Sequence, residues 1–468
     1  MKEQTGLFLG AGASYEVGMP LVWELTDEIK AWLTPDKLRE LNLGWRAQGQ
    51  GSDDKVIEEL AAVLSRADMH YESILGALET QFRRNTPLSQ DFHGMYSWFV
   101  ELVYQILYLR HVNNVQKIKR NLSCLDGIAT LAQLHKPLWV FSLNHDQIVE
   151  CLAAEHAIPV NAGFSPMQRK LPRRDNTGNL IGELTAEVIA AAELGGGLPF
   201  FRTGTHGINL LKIHGALDIF TFDNGNDLLR ILPQGCSTEG VIESLRIANE
   251  ELRYVNTTSG RAAKVTNEIA YADEQGEMQF LRRTLLAGAF KFDARRDQVL
   301  PKQMLTHFRS NLNFLTRLLC VGYGFGDAHI NGVIREWLEF SPRRTLEIVA
   351  PKAVLPPSLL HVAPQVSVVD AAASTYFDGV GGITRSEQER LQRRLATWLR
   401  RTGKAGFGVA MQEFQKNFIS RMISDLPRLP DGKPDVTALG STAEEIRKKM
   451  NLDQPDMLKA FLDFAESR

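Results

Sequence analysis

The feature that most constrains this chain is a series of short apolar segments, each followed by a glycine-rich or polar turn. We predict six of these segments as buried strands, at residues 6–12, 138–143, 210–214, 315–323, 346–350 and 366–369. Apolar residues at helical spacing follow several of them, as at residues 23–33, 146–154 and 330–340. Strands that alternate with helices predict an α/β fold: a Rossmann-like parallel sheet with helices on both faces.

The segments between these strands suggest the domain organisation. We predict a Rossmann-type domain over residues 1–383 and a helical C-terminal region over residues 384–468. The first domain carries a helical insertion at about 35–130 and a second insertion at about 160–205, which we predict as loops and short hairpins because it is rich in glycine and charge. Residues 237–300 mix helical and irregular patterns. A chain of 468 residues suits this division at roughly 100–200 residues per domain.

Composition excludes several classes of protein. The formal net charge is -2 and 44% of the residues are hydrophobic, which argues against a disordered chain and a globally basic nucleic-acid binder. The four cysteines are far apart and form no Cys-x-x-Cys pair, so we expect free thiols and no metal site. We see no signal peptide and no membrane-spanning stretch, and we therefore expect a soluble, cytoplasmic protein that does not bind membranes.

The first polar turn lies after the first strand. Its candidate nucleotide-binding residues are Gly10, Ala11, Gly12, Ser14, Met19 and Pro20. Glycines at such a turn let the backbone approach a pyrophosphate closely. The third glycine of Gly-x-Gly-x-x-Gly is replaced by Tyr15, so a tight turn without a ligand is the alternative interpretation. The chain has no Gly-x-x-x-x-Gly-Lys-Ser/Thr loop, which excludes a P-loop ATPase.

Two further motifs follow the second and third strands. Asn144 and Asp146 lie where an amide can hydrogen-bond sugar hydroxyls or position a water, although either residue can instead cap the next helix. His214 precedes Gly215, and a histidine at a strand end can act as a general base near neutral pH. A lone histidine is more often structural, so this assignment depends on its neighbours.

The fourth motif, residues 321–331, carries three glycines at alternate positions after an apolar strand. Its candidate nucleotide-binding residues are Gly322, Tyr323, Gly324 and Asp327. Such a loop suits contact with a ribose or a base, and Asp327 can cap the following helix. A purely structural loop is the alternative interpretation.

Taken together and in this order, the four motifs resemble the sirtuin superfamily, and most closely the sirtuin-like, NAD-consuming domains of bacterial anti-phage defence proteins. Residues 322–331 are similar to the Gly-Tyr-Ser-Phe-Gly-Asp-x-His-Ile-Asn segment of that branch, with Gly324 in place of the serine. The resemblance covers roughly residues 5–380. The zinc module of protein-deacylating sirtuins is missing, and Val22 and Trp23 stand where those enzymes carry Phe-Arg.

The resemblance implies an NAD glycohydrolase that cleaves the bond between nicotinamide and ribose. It implies that Asn144 binds the ribose and orients water, that His214 is the general base, and that Asp146 supports the site electrostatically. Residues 10–14 would bind the pyrophosphate, and Gly322 and Tyr323 would flank the adenosine. It also implies a toxic effector of defence, controlled by homo-oligomerisation or by a partner such as a HerA-type ATPase, with nucleic acid bound through the complex.

Two other functions remain open. A DNA-binding or DNA-processing subunit is suggested by two basic clusters, which are Arg169, Lys170, Arg173 and Arg174, and Arg390, Arg393, Arg394, Arg400 and Arg401. We favour a solvated helix face and a loop for these clusters, given the near-neutral net charge. A zinc-less deacylase or ADP-ribosyltransferase would use the same Asn144 and His214, so the sequence does not separate it from a hydrolase.

Overall fold

The computed structural model of the chain describes residues 4–223, 225–256, 259–285, 302–424, 426–435 and 450–467. The chain divides into two compact units, Met1–Gly382 and Ile383–Arg468. Among the described helices, none carries an apolar stretch long enough to cross a membrane. Of the four cysteines, Cys124, Cys151 and Cys320 are buried and Cys236 is exposed, and all are free thiols.

The first unit contains the strands that the structure describes. They are β1 (Thr5–Leu9), β2 (Leu138–Ser142), β3 (Val160–Asn161), β4 (Ser165–Arg174), β5 (Leu180–Ile189), β6 (Ile208–Lys212), β7 (Ile219–Phe222), β8 (Asp227–Ile231), β9 (Glu268–Ala272), β10 (Met278–Arg283), β11 (Arg317–Val321), β12 (Thr345–Val349) and β13 (Val366–Val369).

The helices surround and extend these strands. In the first unit they are α1 (Ala11–Tyr15), α2 (Val22–Trp32), α3 (Pro35–Arg46), α4 (Asp54–Leu64), α5 (Tyr71–Phe82), α6 (Ser89–Val112), α7 (Val115–Asn121), α8 (Gly127–Leu134), α9 (Ile148–Glu155), α10 (Thr238–Glu250), α11 (Gln303–Leu312), α12 (Ala328–Phe340) and α13 (Ala373–Gly381). In the second unit they are α14 (Glu387–Ser424) and α15 (Pro455–Glu466).

A seven-stranded parallel sheet forms the centre of the first unit, in the order β13-β12-β11-β1-β2-β6-β3. All six strands predicted from the sequence are in this sheet, and β3 adds a short edge. Alternate residues of the strands face two separate apolar cores, with Phe8, Phe141 and Cys320 on one side and Leu7 and Val140 on the other. Helices cover both faces, so the predicted α/β class with a parallel, Rossmann-like sheet is confirmed.

The segment α2–α6 forms a helical subdomain, and its apolar core also includes Leu217, Leu245 and Leu285. Helix α4 shows why these residues fold in this way, because its apolar side chains recur at helical spacing and are all buried. These are Val56, Ile57, Leu60, Ala61 and Leu64. Asp53 caps the helix by accepting a hydrogen bond from the backbone N–H of Lys55, at 2.9 Å. The helical pattern at about 35–130 therefore corresponds to real helices.

A second, six-stranded antiparallel sheet has the order β4-β5-β8-β7-β10-β9. The sequence did not indicate this sheet, since we predicted loops and short hairpins at about 160–205, and the structure instead gives a hairpin of two ten-residue strands. Strand β4 lies at the edge, where Pro172 is tolerated and most side chains meet water. An edge strand of this kind lacks the apolar alternation by which strands are recognised.

The second unit is helical, as the sequence pattern indicated. Helix α14 is broken at Gly403, whose φ of 69° is left-handed. Phe414 of α14 and Phe461 of α15 pack edge to face, with ring centroids 5.5 Å apart, in a small apolar core.

Candidate active site at the carboxyl ends of the parallel strands

The four polar motifs of the sequence follow β1, β2, β6 and β11. In the sheet order these strands run β11-β1-β2-β6, and every pairing between them is parallel. The carboxyl ends of all four strands therefore meet at one edge, where open parallel sheets bind ligands. The register pairs Ser142 with Lys212, which places Asn144 and His214, each two residues further along, at neighbouring strand ends.

The glycines of the first and fourth motifs contact each other. The backbone N–H of Gly12 donates to the carbonyl oxygen of Gly322 at 2.9 Å, and a Cβ at Gly322 would lie 2.2 Å from the backbone nitrogen of Ala13. Gly322 also has a φ of 69°, which favours glycine. These glycines are thus needed for the close approach of two loops. The N–H groups of Gly10, Gly12 and Ala13 are bonded within the protein, so the pyrophosphate assignment stays a prediction.

Met19 and Pro20 lie behind this loop and are both buried. The Met19 backbone N–H donates to the carbonyl oxygen of Ser14 at 3.1 Å, which fixes the turn after α1. The Arg110 guanidinium from α6 donates to the carbonyl oxygen of Gly18 at 3.3 Å. Met19 and Pro20 therefore support the loop from the protein interior. Ala11 is half-buried and is more accessible than either of them.

Asn144 is anchored directly to the first loop. Its Nδ2 donates to the carbonyl oxygen of Gly10 at 2.9 Å and to Ser14 Oγ at 3.0 Å, which fixes the orientation of the amide. No donor in the part of the chain that the structure describes contacts Asn144 Oδ1. The side chain therefore offers a fixed acceptor at the carboxyl edge, of the kind that binds a sugar hydroxyl or a water.

Asp146 is 5% exposed, and its Oδ1 accepts a hydrogen bond from the Ile148 backbone N–H at 3.1 Å. Its carboxylate therefore stabilises the turn before α9, whose N-cap is Gln147 and not Asn144 or Asp146, as the capping alternative would require. The buried Lys212 ammonium donates to the Asp146 carbonyl oxygen and to that of Asn144, the latter at 3.4 Å. Lys212 thus holds the turn that presents Asn144.

His214 forms a close pair with Asp327. His214 Nε2 lies 3.2 Å from Asp327 Oδ2, and His214 is only 3% exposed. The other carboxylate oxygen, Oδ1, accepts from the backbone N–H groups of His329 and Ile330 at 3.0 and 3.2 Å and caps α12. Asp327 therefore joins the fourth motif to the third. The sequence identified both residues, but it carried no signal that they meet.

The loop after β11 is held in shape by Tyr323. Its hydroxyl donates to Asn331 Oδ1 at 2.8 Å and accepts from the Asp327 backbone N–H at 3.2 Å. Burial and the nearby Asp327 carboxylate raise the pKa of this phenol. The Tyr323 ring is 8% exposed and faces the core, whereas Gly324 is exposed and a Cβ there would meet no atom within 4 Å. Gly324 is thus the open part of this loop.

A buried network of charged groups lies beneath the site, and sequence reasoning missed it. Lys212 Nζ is 3.3 Å from Glu150 Oε1, and Arg230 Nε is 3.0 Å from Asp218 Oδ2. Gln147 Nε2 donates to Asp218 Oδ1 at 2.8 Å. Burial raises the pKa of Glu150 despite the attraction of Lys212. Lys212 and Arg230 lie in strands and Glu150 in a helix, whereas Gln147 and Asp218 lie in turns, so no local pattern marked them.

His111 of α6 contacts this network through the backbone of Gln147. Its Nδ1 donates to the Leu107 carbonyl oxygen at 2.7 Å, and its Nε2 accepts from the Gln147 backbone N–H at 3.2 Å. Burial lowers the pKa of His111, so the neutral ring is favoured. His111 is therefore a structural histidine that positions the turn between Asn144 and α9.

The basic cluster on the β4–β5 hairpin is engaged within the protein. The contacts are Arg169 over the Phe222 ring, Lys170 with Glu183, Arg173 with Glu251, and Arg174 with the carbonyl oxygens of Gly178 and Asp273. In the second unit, Arg394 is bound by Asp463 at 3.0 Å and Glu466 at 2.7 Å. Such pairing leaves these five cations less available to phosphates than the sequence alone suggested.

Among the described residues, no group of three or more histidine, cysteine or acidic side chains is arranged to hold a metal ion. No protein-family model and no curated protein matches this chain. The structure by itself therefore defines the class: an α/β protein with a parallel sheet and a polar site at its carboxyl edge.

Proposed function

We propose that this protein is an NAD glycohydrolase that cleaves the nicotinamide–ribose bond and releases nicotinamide and ADP-ribose. One observation carries the proposal: the His214–Asp327 pair and the anchored Asn144 amide lie at neighbouring strand ends of one sheet edge. A general base and a fixed polar acceptor are what hydrolysis of a nucleoside bond requires of the protein. The resemblance of the four motifs to sirtuin-like NAD-consuming domains supplies the substrate.

The proposed reaction needs little acid catalysis, because nicotinamide leaves NAD as a neutral molecule with the electron pair of the broken C1′–N bond. The ribose passes through an oxocarbenium-like state, and a water oxygen then bonds to C1′. Asn144 Oδ1 would hold a ribose hydroxyl or this water. His214 would accept the proton that the water loses, at Nδ1, the ring nitrogen opposite the Asp327 contact. The Asp327 carboxylate, 3.2 Å from Nε2, would stabilise the charged form of the ring.

The biological setting is proposed from the same resemblance. An unregulated NAD hydrolase is toxic, so we place the activity in anti-phage defence, in the cytoplasm, under control of oligomerisation or of a partner such as a HerA-type ATPase. The DNA-binding alternative loses support, because the hairpin cations are paired internally. The deacylase and transferase alternatives share His214 and Asn144, and they are separated by whether NAD is consumed without a protein substrate.

The test is NAD consumption by the purified full chain, with nicotinamide and ADP-ribose followed by chromatography. We expect His214→Ala to lower kcat by about 10²–10⁴, the usual contribution of a general base. Asn144→Ala should also abolish most turnover. His156→Ala is the matched control, since His156 also contacts a carboxylate, Asp126, at 3.1 Å, but on the protein surface, and it should keep full activity.

Three results would contradict the proposal. Equal turnover by wild type and both site variants would place the chemistry elsewhere. Turnover that requires an acylated or acceptor protein would favour the deacylase or transferase. If the isolated chain shows no turnover, the assay would be repeated with a HerA-type ATPase and DNA. Absence of NAD turnover in that assay as well would contradict the hydrolase proposal.

A further inference from the structure

A cavity of about 750 Å³ lies at the edge of the parallel sheet opposite the candidate active site. Its lining includes Gln4 before β1, Lys136 before β2 and Phe314 before β11, so it opens at the amino ends of the strands. Trp139 lines it and is five residues before Asn144, which separates the two sites by about 16 Å along an extended strand. The catalytic proposal does not use this cavity.

Aromatic rings form one wall. The Trp139 and Phe314 rings are nearly parallel, with centroids 6.1 Å apart and an interplanar angle of 10°, and Phe200 packs edge to face on Trp139 at 4.8 Å. Phe314 is 65% exposed, although large aromatic side chains are ordinarily buried. An exposed ring beside a cavity offers a stacking surface for a planar group.

The charged side chains of the described lining are the cations Lys136 and Arg202. None of the described lining residues is acidic, and in the described part of the chain Lys136 and Arg202 form no ion pair. The carboxylate of Glu193, next to Leu194 in the sequence, is outside the described lining and accepts from the Ala190 backbone N–H at 3.1 Å. The cavity therefore favours an anionic ligand.

The wall formed by residues 194–202 is fixed before any ligand arrives. His307 Nε2 contacts the Leu194 carbonyl oxygen at 2.9 Å, and Asn161 Nδ2 donates to the Pro199 carbonyl oxygen at 2.8 Å. The fully buried Asn209 bonds the backbone of Phe201 through both of its amide atoms, at 2.9 and 3.1 Å. Ligand cavities are usually preformed in this way and measure about 300–1,000 Å³.

We propose that this cavity is a nucleotide-binding site, separate from the carboxyl-edge site, in which a base stacks on the aromatic wall and Lys136 and Arg202 bind the phosphates. The volume, the exposed ring and the unpaired cations each fit a nucleotide, and the two kinds of contact together exclude a purely apolar ligand.

The test is hydrogen exchange and binding titration of the full chain with ATP, which has no nicotinamide bond to cleave. ATP should protect peptides covering residues 194–203 and 303–314. Inorganic triphosphate and adenosine should each bind at least tenfold more weakly, since each supplies only half of the contacts. Lys136→Ala combined with Arg202→Ala should weaken ATP binding at least tenfold, and so should Phe314→Ala. Lys55→Ala combined with Arg343→Ala removes two exposed cations elsewhere and should change nothing.

Absence of protection at these peptides up to millimolar ATP would overturn the proposal. So would protection that survives the paired cation variant, or equal binding of triphosphate and ATP, which would indicate an anion site without a base subsite. Binding of NAD to the His214→Ala variant, compared with binding of ATP, shows whether the cavity prefers a dinucleotide or a mononucleotide. Because no arm measures NAD cleavage, this proposal and the proposed hydrolase can fail independently.

Discussion

His214 Nε2 and Asp327 Oδ2 lie 3.2 Å apart, although they follow β6 and β11, which are separated in the sheet by β1 and β2. Three strand steps of about 4.8 Å separate β6 from β11, so the loop after β11 must reach across the ends of the two intervening strands. It passes over the Gly10–Gly12 turn, which explains why Gly322 contacts that turn so closely. The pair therefore connects the segments that follow the two outer strands of the site, β6 and β11.

Replacing Asp327 by asparagine separates its two roles, which are the cap of α12 and the negative charge beside His214. Asparagine caps helices as well as aspartate does, so α12 should be retained, while the negative charge beside His214 is lost. We expect kcat for NAD cleavage to fall about tenfold or more with little change in KM. The melting temperature should move by only a few degrees. An unchanged kcat in steady-state assays would show that Asp327 does not assist His214.

Gly322 and Gly324 form a matched pair for testing the contact between loops. Gly322→Ala introduces a Cβ 2.2 Å from the Ala13 nitrogen at a φ of 69°, and we expect it to lower the free energy of unfolding by at least about 2 kcal/mol. Gly324→Ala meets no atom within 4 Å and should stay within about 0.5 kcal/mol of wild type. Urea denaturation measures both. Equal effects would mean that the contact is not required for stability.

His111 should make the protein sensitive to acid. Burial lowers its pKa in the folded state, below the 6.5 of an exposed ring, so the unfolded chain binds more protons in acid. The free energy of unfolding should therefore fall as the pH drops below about 6.5, by up to roughly 1.4 kcal/mol per pH unit from this residue. Urea denaturation at pH 7.5 and 5.5 should show a smaller loss for His111→Gln. His156→Gln, at the surface, should behave as wild type does.

Lys212 should be essential to the buried charge network. Its side chain is 2% exposed and that of Glu150 is 3% exposed, so Lys212→Met leaves a buried carboxylate without its cation, at a cost of about 3–5 kcal/mol. Burial already raises the Glu150 pKa, and loss of Lys212 raises it further. A carboxyl group that holds its proton more tightly when folded destabilises the protein as the pH rises through the unfolded value. The loss of unfolding free energy caused by Lys212→Met should thus be larger at pH 8 than at pH 5.

The double variant Lys212→Met with Glu150→Gln is the control for this argument. Removing the unpaired carboxylate should recover part of the lost stability and abolish the difference between pH 5 and pH 8. A double variant that is no more stable than Lys212→Met at pH 8 would show that the loss comes from the hydrogen bonds of Lys212 to the Asn144 and Asp146 carbonyl oxygens instead.

The parallel sheet was predictable because its strands are buried on both faces. Segments such as β1 and β2 are continuously apolar and end in glycine or polar residues, which is a local signal. The antiparallel sheet was not predictable in the same way. Its edge strand β4 carries four basic residues and has only two buried ones, and it pairs with β5, which comes later in the chain.

The sequence by itself determined six strands of the parallel sheet, the helical character of several segments and the four motifs, because periodicity and turn chemistry act over a few residues. Only the tertiary structure decided that Asp327 faces His214, that Gly12 and Gly322 touch, and that Lys212 neutralises Glu150 beneath them. Each of these contacts joins residues that are distant along the chain. The reason is physical: distances between such residues are set by sheet order and loop packing, and no local pattern encodes them.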